Sequence, residues 1–272
     1  MSSPLLAIVL SSLLAILIPL SCNASPGAQA ADNLLNLQQM RLAAQKSLGD
    51  FYMFNSMEAD QRYARMINDD VAKANAHLSA MSSLPGPASN AMHEQVQRRW
   101  LDYQQQLHAL TQAISRQGYS ELQPVADLAA DNQALLTLSA QLYAAIQEEA
   151  HYRVPALTQR SREQSLLMQG IAVDYASRSA SVGATFMGGT DARPIEELVS
   201  QFAAAMQELQ QAPQNTAPIR QSWEGVSTKW RYIEKSLINY NEKSVPFLVN
   251  KYSTSIVEGI EGIAGQYATG NL

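Results

Sequence analysis

The sequence predicts an all-α fold, an elongated helical bundle of about six or seven helices. Three observations lead there. Apolar residues recur in steps of three and four through most of the chain, as one face of a helix requires. Aromatic residues are only 7% and glycines only 13 of 272 residues, while apolar residues reach 46%, enough for a core without the β-branched and aromatic excess of sheets. Neither an alternating strand pattern nor an Asn-Gly hairpin signal interrupts the helical text.

The first 31 residues stand apart. They hold no charged side chain, and Leu5–Leu20 is a hydrophobic run shorter than a bilayer span and interrupted by two serines and a proline. Ala28-Gln29-Ala30 then offers an A-x-A cleavage signal, so residues 1–31 read as a removable signal peptide. The lone cysteine, Cys22, opens a second reading. Leu20-Ser21-Cys22 follows the hydrophobic run as a bacterial lipobox does, which would make Cys22 a lipidation site and the protein a membrane-anchored lipoprotein. Both readings export the chain, to the periplasm or beyond, and a single cysteine rules out a disulfide framework within it.

From Asp32 the elements follow in order. The segment 32–82 carries a helical stripe from Leu37 through Met81, too long for one straight rod in a compact molecule, so a bend is expected near Asn55–Asp60. Leu84-Pro85-Gly86-Pro87 stops it. A helix over 89–117 ends at Gly118, and Ser120-Glu121-Leu122-Gln123 reads as a capping box opening the next, which runs to about 152. Val154-Pro155 marks the boundary between an N-terminal helical half, 32–152, and a C-terminal half, 155–269. A helix over 156–186 stops at Gly188-Gly189. Pro194 with Glu196 and Glu197 opens another, since acids complement a helix N-terminus. Helices over 217–241 and 246–269 complete the chain.

The halves share an echo. Val96-Gln97-Arg98-Arg99-Trp100 and Val226-Ser227-Thr228-Lys229-Trp230 have the same pattern, with Leu107 and Leu237 seven residues on, and Arg41–Leu48 resembles Arg160–Leu167. Two related helical halves are the reading this suggests.

The same text argues against catalysis, cofactors and metals. Glu148-Glu149-Ala150-His151 contains the Glu-x-x-His spacing of di-iron bundles, but those sites need a second such motif and none exists. Nucleophile-elbow, zinc-protease, phosphate-loop and dinucleotide patterns are missing. Net charge is −5 and no Lys/Arg cluster stands out, so nucleic acid is not an expected partner. Trp223 and Trp230 lie seven apart on one helical face, as core packing or as a ligand-facing aromatic pair.

Gln164-Ser165-Leu166-Leu167-Met168-Gln169-Gly170-Ile171-Ala172-Val173-Asp174-Tyr175, and the later run from Trp223 through Val245-Pro246 to Tyr252, resemble the periplasmic sensor module at the N-terminus of type IV pilus methyl-accepting chemotaxis transducers. The resemblance implies an extracytoplasmic helical bundle that senses a small molecule or an envelope protein by shifting helix packing. It nominates Arg160, Arg162, Gln164 and Gln169 as ligand contacts. Gly170 stands where the family pattern has a second arginine, and the first is absent. The sensing module alone is expected, so a signal would pass through a partner, with a second copy of the chain a further candidate. The alternative reading is a helical envelope scaffold or adaptor lipoprotein with no small ligand.

Overall fold

The computed structural model describes residues 26–180, 193–240 and 244–270, and among these there are eight helices and no strand. They are α1 (Pro26–Ser56), α2 (Gln61–Ala80), α3 (Pro87–Gln117), α4 (Leu122–Glu149), α5 (Ala156–Ala180), α6 (Ile195–Gln210), α7 (Ala217–Ile238) and α8 (Pro246–Thr269). The sequence expectation of six or seven falls short because the segment 32–82 does not merely bend. It reverses. Glu58 and Ala59 take left-handed backbone angles, φ 51° and 60°, and the Asp60 side chain accepts the Arg62 amide to start α2. The returning α2 is pinned to α1 by reciprocal bonds between Asn33 and the Ser82 backbone, 2.9 and 3.1 Å.

Other helix ends follow from local chemistry. Gly118 closes α3 at φ 81°, where a side chain would be strained. Thr216 caps α7, and Glu196 and Glu197 sit in the first turn of α6. The expected capping box at Ser120 does not form. Glu121 is the N-cap of α4, without a side-chain cap bond, and the Ser120 hydroxyl is buried without a partner. The opposite occurs at α3, where the Ala88 and Ser89 amides donate to Glu149 at the far end of α4, each at 2.9 Å. The expected stop at Gly188-Gly189 lies outside the described residues, as does Cys22. The Ala28-Gln29-Ala30 motif lies inside α1, where Ala30 is buried and Gln29 donates to the Ser82 carbonyl.

The helices pack in two rings of four. In the first, α1 meets α2, α2 meets α3, α3 meets α4, and α4 returns to α1; in the second, α5, α6, α7 and α8 repeat that order. Each ring has its own core. Trp100 stacks on Tyr103 in the first, and Phe202 meets Trp230 in the second, with ring centroids 4.5 Å apart. The rings join along α1 and α5, which run parallel: Gln38 meets Arg162, Gln45 approaches Gly170, and Gly49 packs on Val173. Because α1 and α5 are covered on both sides, they bury residues around much of their circumference and lack the single apolar face of α2, α6 and α7. Many of those extra buried positions are polar, among them Asn33, Gln38, Ser47 and Asp50 on α1, and Ser161, Arg162, Gln164, Ser165 and Gln169 on α5.

Candidate functional site

A cleft of about 290 Å³ opens beside this polar seam, and three helices contribute a stripe each. Gln39, Leu42, Ala43 and Lys46 come from α1, and Thr254, Val257, Glu258 and Glu261 from α8. Both sets follow the spacing i, i+3, i+4, i+7 that places residues on one helical face. Asp70, Lys73 and His77 of α2 form the opposite wall, and Gln169 enters from α5. The cleft therefore draws on both rings. Its size suits a small molecule, near the lower bound for ligand pockets.

One side is a buried charge cluster. Lys46 donates to Asp50 at 2.6 Å and to Asp70 at 2.7 Å, and Asn250 of α8 donates to the other Asp50 oxygen at 3.0 Å. Asp50 and Asp70 are almost wholly buried, so two carboxylates share one ammonium. Burial pushes Asp70 up to about 7 despite the opposing pull of Lys46, and the neighbouring Asp50 adds to the rise. Burial alone would lower Lys46, but the two carboxylates outweigh it and raise the ammonium above its ordinary value. The other side is built on Glu261, which accepts from Gln38 at 3.1 Å, from Gln39 at 2.6 Å and from the Ser165 hydroxyl. Burial raises Glu261, and the neutral donors offset only part of that.

Unmatched polar groups concentrate along the seam. The Nε atoms of Arg41 and Arg162, Oε1 of Gln45 and Gln164, and the Ser161 hydroxyl are buried without a hydrogen-bond partner among the described residues. Such groups are costly in a folded interior. Gln169 is 5% exposed and faces the cleft, and its amide makes no hydrogen bond among the described residues.

The four residues nominated by resemblance do not form one site. Successive helical positions turn by about 100°, which puts Arg162 and Gln169 on one face of α5 and Arg160 and Gln164 on another. Arg162 donates to the Tyr143 hydroxyl of α4 at 3.0 Å, and Gln169 borders the cleft. Arg160 is exposed and paired with Glu208 of α6, and Gln164 donates to the Phe202 carbonyl at 3.2 Å. Trp223 and Trp230 lie in the second core. Trp223 donates to the Tyr267 hydroxyl at 3.2 Å, and neither tryptophan borders the cleft. His151, of the Glu-x-x-His, is exposed at a turn, and no cluster of three metal-ligating side chains exists among the described residues.

Sequence reasoning missed Lys46, Asp70, Glu258 and Glu261. One signal was present. The buried stripe of α2 runs Tyr63, Ile67, Asp70, Ala74, Leu78, so an acid occupies a core position of an amphipathic helix. No family model, curated protein or solved structure matches the chain.

Proposed function

We propose that the protein is an exported, non-enzymatic binding module that takes a small molecule in the cleft between its two helical rings. The carrying observation is the cleft itself, a concave site fed by four helices and bordered by Gln169, a buried residue whose side-chain amide makes no hydrogen bond among the described residues. Its buried charge cluster, Lys46 with Asp50 and Asp70, is fixed by mutual pairing and suits recognition better than proton transfer to a substrate. Occupancy would act on α1, α2, α5 and α8 together, so a ligand favouring one packing of the rings would shift their relation, the action implied by the sensor-module resemblance. The repeated order of helix contacts, with α1 matching α5 and α3 matching α7, supports an internal duplication. The same correspondence relates Arg41–Leu48 to Arg160–Leu167 and Trp100 to Trp230.

Export rests on the Leu5–Leu20 run, and the start of α1 bears on how the leader leaves. Cleavage after Ala30 would remove a packed turn that includes buried Ala30. Processing at Cys22 keeps α1 whole and yields the lipid-anchored form.

A thermal-shift screen of the purified protein against a small-molecule library tests the binding reading, paired with Ala43→Trp to fill the cleft. A binder raises the melting temperature by mass action, by about 2.7 kcal/mol of stability at one hundred times its Kd. The rise should vanish in the folded variant. Hits that stabilise both proteins equally would refute a cleft site. Mass spectrometry of the mature N-terminus separately tests processing: a start at Ala31 removes the lipoprotein reading.

A further inference from the structure

The charges that line the cleft are unevenly matched. Lys46 is already held between Asp50 and Asp70, with both contacts under 3 Å. Lys73 is 65% exposed at the rim and reaches Asp70 only at 3.7 Å. On the opposite wall, Glu258 and Glu261 lie one helical step apart on the same face of α8, and neither forms an ion pair among the described residues. Glu261 receives only neutral donors at contact distance, and Arg162 acts on it from farther away without pairing. Between the walls, Leu42, Ala43 and Val257 give an apolar floor. Gln169 is 5% exposed as a residue, and its side-chain amide, which makes no hydrogen bond among the described residues, offers both a carbonyl oxygen and an NH₂ group. Acid on one wall, grease beneath and an amide with no hydrogen bond among the described residues describe a site for a cation on a short hydrocarbon stem.

We propose that the cleft binds a small aliphatic amine in its protonated form, with the ammonium against Glu258 and Glu261, the stem on Leu42 and Val257, and the far end hydrogen-bonded to Gln169. An ammonium supplies three donors to carboxylate oxygens that still have lone pairs free. It also supplies the positive charge that the α8 wall lacks. A carboxylate in the same place would meet Glu258 and Glu261 as like charges, and among the described residues lining the cleft the only loosely held cation is the rim Lys73. A bare divalent ion would lack a third carboxylate or imidazole, since no cluster of three exists among the described residues.

This inference rests on the cleft reading and is tested by isothermal titration of the full chain at neutral pH. The probes are 1,4-diaminobutane, n-butylamine, 4-aminobutanoate and magnesium ion. Both amines should bind, the diamine more tightly because its second ammonium meets the Gln169 carbonyl. Glu261→Gln, which keeps the side chain's shape, should weaken the amines about tenfold, equivalent to about 1.4 kcal/mol. Glu258→Gln should weaken them to a smaller degree, and Gln169→Leu should erase the advantage of the diamine. Glu94→Gln, at an exposed position of α3 away from the cleft, should change nothing. Circular dichroism checks each fold, and because Glu258 is exposed, its variant keeps the test decisive if Glu261→Gln unfolds. Absence of amine binding, indifference to both Glu→Gln changes, or tighter binding of 4-aminobutanoate or magnesium would each overturn the proposal. If amines fail while a library compound still depends on Ala43, the amine class falls and the cleft reading stands. If no compound depends on Ala43, both fall.

Discussion

Asp70 occupies a position that the pattern of its own helix reserves for an apolar residue, and the consequence should be visible in titration. Its side chain faces Lys46 and Asp50 of α1 and Lys73 of its own helix, with His77 two turns along the same α2 wall and Glu258 and Glu261 of α8 across the cleft. In the unfolded chain its carboxyl titrates near the ordinary value of about 4; in the fold it titrates at about 7. The folded state therefore holds a proton between those limits that the unfolded state has lost. The group's contribution to stability is complete below about pH 4, declines as pH rises, and is gone above about pH 7. Asp70→Asn removes the titration and keeps a polar group of the same shape. Melting temperatures at pH 5, 6, 7 and 8 should fall more steeply for the wild type than for Asp70→Asn. Parallel profiles would mean that Asp70 ionises normally inside the protein. The residue was legible in the sequence only as a misfit in a stripe. Its partner Lys46 was not, because α1 is buried on more than one side and a lysine there breaks no recognisable pattern.

Helix α8 shows how tightly the second ring is assembled. It carries three glycines with different surroundings. An added Cβ at Gly259 would lie 2.8 Å from Cγ2 of Val226 on α7, whereas at Gly262 and Gly265 it would meet nothing within 4 Å. Val226 is 1% exposed and β-branched, so it has little freedom to turn aside. Alanine should therefore act in opposite directions along one helix. Gly262→Ala and Gly265→Ala should each stabilise by about 0.5–1 kcal/mol, the ordinary helix preference. Gly259→Ala should destabilise by about 1–3 kcal/mol through overpacking. Combining it with Val226→Ala should recover part of that loss, a non-additivity expected of touching residues. Urea denaturation of the four variants decides the matter, and a stabilising Gly259→Ala would show that α7 and α8 are not in close contact. The helix spans themselves were mostly readable, since proline, glycine and capping residues announce where a helix ends. The α1–α2 reversal was not. Glu58 and Ala59 adopt left-handed angles without the glycine or asparagine that usually signals them, so the sequence indicated a bend where the chain turns back. Close approaches such as Gly259 on Val226 are set by tertiary contact and leave no local mark.

At the scale of the molecule, two cores share one seam, and that governs how the fold should come apart. All-α character was plain from composition and periodicity. The side-by-side joining of α1 and α5 was hidden, because a helix buried on several sides loses the periodic signal on which sequence reading depends, and its polar seam resembles an exposed face. The seam is continuous with both cores: Leu42 of α1 packs in the second core, and Ala176 of α5 packs in the first. Neither ring can lose its central helix without exposing apolar surface and the buried polar groups of the other. The chain should accordingly unfold in one cooperative transition, although it is large enough for two. Trp100→Phe and Trp230→Phe place the test in opposite rings, each removing volume from one core. Under thermal or urea unfolding, both should lower a single shared midpoint. In native-state hydrogen exchange, each should speed the slowest amides of α4 and α8 alike, because those helices flank the same seam. Two separated transitions, or exchange that quickens only in the mutated ring, would show that the rings are independent units in mere contact. A ligand in the cleft could not then couple one ring to the other through α1 and α5.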